Sequence, residues 1–301
     1  MSLNNELIKK FSNDITKDSK LSNLSWFSLG GPAEFLFKAK NKNQLIEFLR
    51  FNKIHKHKIT ILGAGSNTLI RDRGVRGVVI KLVSDFAKIS LIDKDTIEVG
   101  AATLDRKISN FAKDNGIGGL EFLSCIPGSI GGGVIMNSGC YNNDISKVLK
   151  SLKVVDIQEC KEKEIKRENI KFFYRGTNLT NQFIITSVKL KGKIQSKESI
   201  EKLQNDMIHK KKLSQPSQIK TCGSTFKNLS NSKKAWELIK ETGCDKFKEG
   251  DAIISQKHCN FFVNNGKAKS ADIEKLINKV KRTVNDKTGI SLELELRIIG
   301  E

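Results

Sequence analysis

Proline is scarce in this 301-residue chain, with three in all, and tryptophan and tyrosine occur only twice each. Other absences exclude more. No window approaches the ~18–20 consecutive apolar residues that cross a bilayer as a helix, so no membrane span is expected. The opening stretch MSLNNELIKKFSNDITKDSK lacks the apolar core of a signal peptide, and a cytoplasmic location is expected. The six cysteines, Cys125, Cys140, Cys160, Cys222, Cys244 and Cys259, form no C-x-x-C pair, and the four histidines form no H-x-x-x-H or H-E-x-x-H pattern. Free thiols are therefore expected rather than a disulfide framework, and no metal site.

Negative charge is also short, leaving a net charge of +20. That excess invites a nucleic-acid reading. Against it, lysine carries nearly all of the charge, whereas groove readers favour the planar fork of arginine. The lysines are spread along the chain, with no long basic block and no basic run interleaved with aromatics. A lysine-rich solvated surface explains the composition, and no nucleic-acid partner is expected. The 38% hydrophobic content is ordinary for a folded soluble protein.

The pattern predicts helices near residues 3–13, 41–53 and 104–115, with short strands at 58–67, 74–82, 88–93 and 96–101. Strands continue at 151–159, in KEIKRE and in NQFIITSVKLKG. The character changes near 193–197. Helical spacing follows in KESIEKLQNDMIHKKK, in KKAWELIKETG and above all in 269–289. There Ser270 is the expected cap, and Ile273, Leu276, Ile277, Val280 and Val284 form an apolar stripe. SLELELRIIG reads as a terminal strand. The fold class is α+β, with a β-rich first two-thirds and a smaller C-terminal domain.

Two glycine turns stand out. ILGAGSN places Gly63, Gly65, Ser66 and Asn67 directly after a strand. The third glycine of a dinucleotide fingerprint is Thr68, no helix follows, and no G-K-[ST] completes a phosphate loop, so both of those readings fail. What remains is a nest of inward-pointing backbone N–H groups. The second turn, Pro127, Gly128, Ser129, Ile130, Gly131, Gly132 and Gly133, offers the same chemistry. Together they read as two walls around a pyrophosphate cofactor.

LGAGSN followed by IPGSIGGGVIMNSG resembles the FAD-binding domain of the UDP-N-acetylenolpyruvoylglucosamine reductases, also called UDP-N-acetylmuramate dehydrogenases. SWFSLGGPAEFLF, FFYRGTNL, CGSTFKN, HCNFFVNNGKA and LELRIIGE continue the resemblance in the family's order across nearly the whole chain. It implies an FAD-binding region of two α+β subdomains of the PCMH type at 1–195. A substrate-binding domain follows at 196–301, with the terminal strand near 290–301 returning to the active site. FAD would be non-covalent, since no histidine or cysteine stands where a flavin link is obvious. NADPH would reduce the flavin and leave, and the flavin would then pass a hydride to the β-carbon of the enolpyruvyl ether of a UDP-linked amino sugar. The product would be UDP-N-acetylmuramate for peptidoglycan, made by a monomeric cytoplasmic enzyme.

On this resemblance Arg175 in FFYRGTN matches the active-site arginine, whose guanidinium can hold a carboxylate or enolate through paired bonds. Ser224 in CGSTFKN matches the proton donor. Glu295 matches the glutamate two residues before the arginine of the terminal strand, and would orient substrate or share in protonation. Without the family, these would read as a turn arginine, a Gly-Ser turn and an exposed strand face.

Asn228 and Lys212 match substrate-binding positions, although Lys212 is one of three neighbouring lysines. Tyr174 is either packing or pocket wall. The chain departs from the family at Cys222, where a small residue is common, and at Leu229 and Leu294, where proline is common. The short segment after Arg175 points to the family's shorter subtype. The alternatives are another FAD-dependent oxidase of the same binding fold or, from a different class, a basic nucleic-acid-binding protein.

Overall fold

The computed structural model describes residues 3–179, 181–228 and 233–301, with side chains from residue 6 onward. Leu229 lies outside the described residues. The chain divides into two compact units. The first comprises residues 1–16, 36–64 and 78–211; the second comprises 17–35, 65–77 and 212–301. A four-stranded sheet of order Ile15–Lys20, Pro32–Ala39, Val75–Leu82, Ile59–Ile61 contributes residues to both.

The first unit is built on a five-stranded antiparallel sheet. Its order is Lys161–Lys166, Leu149–Asp156, Phe183–Lys191, Thr96–Gly100, Ile89–Asp93. Strand alternation explains its two faces. Ile97, Val99, Leu152, Val154, Val188 and Leu190 turn into a core shared with Ile108, on the helix Asp105–Asp114, and Val134, on the helix Ile130–Met136. The opposite face carries cross-strand pairs: Lys153 reaches Glu98 at 2.7 Å and Lys189 reaches Glu164 at 3.0 Å. In the same unit, the helix Lys42–His55 is capped by Asn41 and buries Phe48, which stacks on Phe37 with ring centroids 4.4 Å apart. Burying such a side chain contributes about 1.5–3 kcal/mol.

The second unit has its own core around the helix Ser270–Thr288. The predicted stripe of Ile273, Leu276, Ile277, Val280 and Val284 is buried there, beside Phe226, Phe262 and Leu292. The expected capping by Ser270 is not what the structure shows. Ser270 occupies the first helical turn, and its Oγ donates to the Ile70 carbonyl at 2.6 Å. The free amides are taken instead by a residue distant in sequence, Asp72, whose carboxylate accepts from Ser270 N at 2.9 Å and Ala271 N at 3.0 Å. The terminal strand is also shorter than predicted. Regular pairing covers only Arg297–Ile299, parallel to Thr68–Ile70, and the preceding residues form an isolated bridge between Leu294 and Phe226.

Candidate active site

In the first unit, the stretch after Pro127 is not wholly a turn. Gly131, Gly132 and Gly133 lie inside the short helix Ile130–Met136, because the residues before them are fixed by backbone bonds. Ile130 N–H donates to Thr103 O at 3.0 Å and Gly131 N–H to Ala101 O at 2.9 Å. A Cβ on Gly131 would meet Ala101 at 3.0 Å, so this glycine serves close packing of the helix. The N–H groups of Gly128, Ser129 and Gly132 have no acceptor among the described residues. Gly63, in the same unit, faces this segment: a Cβ there would lie 3.0 Å from Ser129 Oγ. Lys81 Nζ donates to the Gly63 carbonyl at 2.8 Å, and burial, with Lys38 nearby, lowers its pKa. Sequence reading missed Lys81, which looks like one more strand-end lysine.

The N–H groups of Gly63, Ala64, Gly65, Ser66 and Asn67 likewise have no acceptor among the described residues. Gly65 has φ +67°, and a Cβ on it would strike the Leu24 carbonyl at 1.9 Å. Here the side chain is absent to admit neighbouring backbone, while the loop's N–H groups stay available. Unpaired donors on Gly63 and on the Gly128–Gly132 segment fit the pyrophosphate of FAD.

Beneath the glycine helix is a buried polar cluster. Both carboxylate oxygens of the fully buried Asp105, with Thr103 Oγ1 and Ser138 Oγ, lack partners among the described residues. A Cβ on Gly133 would lie 2.9 Å from Ser138 Oγ and 3.7 Å from the Asp105 carboxylate. Burial pushes the Asp105 carboxyl up to about 8.

Arg175 and Tyr174 form the tip of a tight hairpin between Phe172–Phe173 and Gly176–Thr177. Arg175 adopts the left-handed conformation, φ 57°, and its guanidinium donates to the Gly139 carbonyl at 3.0 Å. It also lies 4.9 Å from the ring centre of Tyr174. Tyr174 is half exposed and lines a cleft with Arg175, Arg167 and Asn137. Asn137 was not singled out from the sequence. It caps the glycine helix in the left-handed region, and its amide bonds the Phe173 carbonyl and Ser146 N–H, latching the hairpin to that helix. The signal was an asparagine directly after a helical pattern.

The second unit brings Ser224, Glu295 and Asn67 together through backbone bonds. Gly223, φ +80°, turns the chain into Ser224, which is half-buried. Glu295 N–H donates to Thr225 O at 2.9 Å, and Asn67 Nδ2 donates to Glu295 O at 2.9 Å. Glu295 is half-buried whereas Glu293 is exposed. Asn260 lies inside HCNFFVNNGKA, and its buried amide pairs with both the N–H and the carbonyl of Phe226, next in chain to Thr225. Asn228 Oδ1 accepts from Ala235 N at 3.1 Å and so caps the helix Ala235–Glu241. Lys212 is exposed, and its carbonyl accepts from Lys257. Its neighbour Lys211, by contrast, belongs to the first unit and is half-buried.

No described helix is long and apolar enough to cross a membrane. Residues 33–161 match the family model described as FAD binding domain, and 215–299 match UDP-N-acetylenolpyruvoylglucosamine reductase, C-terminal domain. The curated UDP-N-acetylenolpyruvoylglucosamine reductase of Pelagibacter ubique is 46% identical over 98% of this chain and 99% of its own. That of the Wolbachia of Brugia malayi is 39% identical over 93% and 94%. The crystal structure of UDP-N-acetylenolpyruvylglucosamine reductase from Thermus caldophilus superposes with a TM-score of 0.82 at 31% identity, covering 94% of this chain and 98% of that one. The fold is accordingly α+β, with an FAD-binding region of the PCMH type. Identity and fold agree from end to end, and the chain belongs to the UDP-N-acetylenolpyruvoylglucosamine reductase family of FAD-dependent oxidoreductases.

Proposed function

We propose that the chain reduces UDP-N-acetylglucosamine enolpyruvate with NADPH to UDP-N-acetylmuramate, as a monomer in the cytoplasm. This would supply the peptidoglycan precursor on which cell shape and division depend. The observation that carries the reading is identity to named reductases over nearly the full length of both chains. In this reading residues 1–195 bind FAD and 196–301 bind the sugar nucleotide.

FAD held there would supply the hydride chemistry that links NADPH to the β-carbon of the enolpyruvyl group. The residues of this chain hold and complete that step. Backbone N–H groups of Gly63, Gly65, Ser66 and Asn67, and of Gly128, Ser129 and Gly132 beyond Pro127, would hold the pyrophosphate. Ile130 and Gly131 use their N–H groups to fix the segment. Negative charge then gathers at the α-carbon and its carboxylate. Arg175 opposes that charge with a guanidinium already held by the Gly139 carbonyl. Ser224 delivers a proton to the α-carbon, and Glu295, tethered at both N–H and carbonyl, orients the acceptor. Tyr174 walls the cleft beside Arg175, Asn228 shapes the substrate loop, and Lys212 offers charge to the diphosphate.

The test is the visible absorption of the FAD-loaded protein under anaerobic conditions. NADPH should bleach the flavin band, and UDP-N-acetylglucosamine enolpyruvate should restore it. A flavin that bleaches but recovers only with oxygen would establish the oxidase alternative instead. Elution as a single chain mass in light scattering checks the monomer.

A further inference from the structure

Cys125 and Cys140 have no part in the proposed reaction, yet the fold sets them against each other. Cys125 ends the 3-10 turn Glu121–Cys125, and Cys140 ends the short strand Gly139–Cys140. Cys140 packs its thiol against the turn that Cys125 ends. Cys140 Sγ also lies 3.5 Å from the Phe122 carbonyl, and Ser124 Oγ is 3.7 Å from Cys125 Sγ. Lys211, from the helix Lys197–Ser214, donates Nζ to the Cys125 carbonyl at 2.6 Å and brings a cation to the pair.

The two thiols are unequal. The Cys140 thiol beside it, aided by Ser124 and Lys211 against the effect of burial, holds the Cys125 thiol below the usual range. The neighbouring Cys125, with burial, pushes Cys140 up, while Lys211 and Arg175 oppose it. The two titrate as a unit, in which one sulfur ionises first while its neighbour keeps its proton. The remaining cysteines lack this arrangement. Burial pushes Cys222 up to about 12 and raises Cys259, and Cys160 and Cys244 are buried.

From this juxtaposition we propose that Cys125 and Cys140 form a reversible dithiol–disulfide site that reacts with small disulfides of the glutathione class. The charged sulfur attacks one sulfur of the oxidant RS–SR, forming a mixed disulfide and expelling RS⁻, which takes up a proton. The second protein thiol loses its proton and attacks the protein sulfur of that mixed disulfide, releasing the second thiol. In total the protein gives up two electrons and two protons, and RS–SR becomes two RSH. The step needs no contribution from the flavin chemistry.

Closing the bond has a consequence for the Arg175 hairpin. A disulfide holds its sulfurs at about 2.05 Å, so closing it ties the Glu121–Cys125 turn covalently to the Gly139–Cys140 strand. Gly139 supplies the carbonyl that holds the Arg175 guanidinium. Cys125 stands directly before the Ile126-Pro127-Gly128 segment. The oxidised protein should therefore turn over more slowly, reversibly.

The experiment treats the FAD-loaded protein with glutathione disulfide, blocks residual thiols with N-ethylmaleimide, and maps the peptides by mass spectrometry. The expected result is a Cys125–Cys140 crosslink, formed about tenfold or more faster than modification of Cys160, Cys222, Cys244 or Cys259 and reversed by dithiothreitol. Cys140→Ser should instead accumulate glutathione on Cys125. Separate glutathionylation of both thiols in the wild-type protein, or a rate no greater than that of Cys222, would overturn the site. NADPH-driven turnover, assayed on the same samples, should fall on oxidation and return on reduction. A crosslink with unchanged turnover would overturn the coupling to Arg175.

Discussion

The two regions proposed to meet ligand chemistry use different parts of the polypeptide. In the first, around Gly63 and Gly128–Gly132, the unpaired groups are mostly backbone N–H. In the second, around Thr225, the proposed groups are side chains, Ser224 and Glu295, in a segment held by bonds from Thr225, Asn67 and Asn260. The contrast follows from what each has to recognise. A pyrophosphate presents diffuse charge that many weak fixed donors can share, and glycine brings those donors close. Proton transfer to one carbon needs a single group at one place, and a rigid support for it.

If this division of labour is right, the largest effect should come from the smallest chemical change. Ser224→Ala should lower kcat by about 10²–10⁴-fold, the range for loss of a general acid, with little change in FAD content. A loss of bound flavin in that variant would erase the contrast. Next in size is Gly65→Ala, where a Cβ meets the Leu24 carbonyl at 1.9 Å in a left-handed conformation. It should destabilise the protein by about 1–3 kcal/mol and reduce the FAD retained on gel filtration.

A smaller effect sharpens the comparison within the second unit. Asp72→Ala removes the carboxylate that accepts from Ser270 N and Ala271 N. It should cost about 1 kcal/mol and lower Tm by about 2–4 °C, read by thermal denaturation, without altering the flavin spectrum.

The last prediction concerns the buried cluster under the glycine helix. Asp105 is pushed up to about 8 by burial, above its unfolded value of about 3.9. Between those values the unfolded state binds fewer protons than the native state, so this group's contribution to stability is present below about pH 4 and is lost as pH rises toward 8. Asp105→Asn should flatten the fall in Tm across that window. An unchanged slope would show that Asp105 ionises normally in the fold.

The same contrast explains how much could be read from the sequence. Glycines proposed to serve backbone recognition are visible as glycines, and both clusters stand out without any resemblance. Ser224 and Glu295 look like a turn serine and a strand-face glutamate, so only the ordered family motifs gave them roles. The core of the second unit was legible because the stripe from Ile273 to Val284 keeps helical spacing over a long segment. What could not be read depends on contacts between distant residues. Asp72 caps a helix far along the chain, Lys81 bonds the Gly63 carbonyl, and Asn260 pairs with Phe226. Gly131–Gly133 became helix rather than turn because Thr103 and Ala101 take the N–H groups of Ile130 and Gly131. Local pattern carries no trace of such partners.

The central claim is that cofactor reduction and substrate protonation depend on separate groups. Stopped-flow absorbance on Ser224→Ala, following each half-reaction alone, tests it most directly. The account predicts that NADPH bleaches the flavin at the wild-type rate, and that recovery on adding UDP-N-acetylglucosamine enolpyruvate slows by about 10²-fold or more. Equal slowing of both half-reactions, or recovery at the wild-type rate, would contradict it.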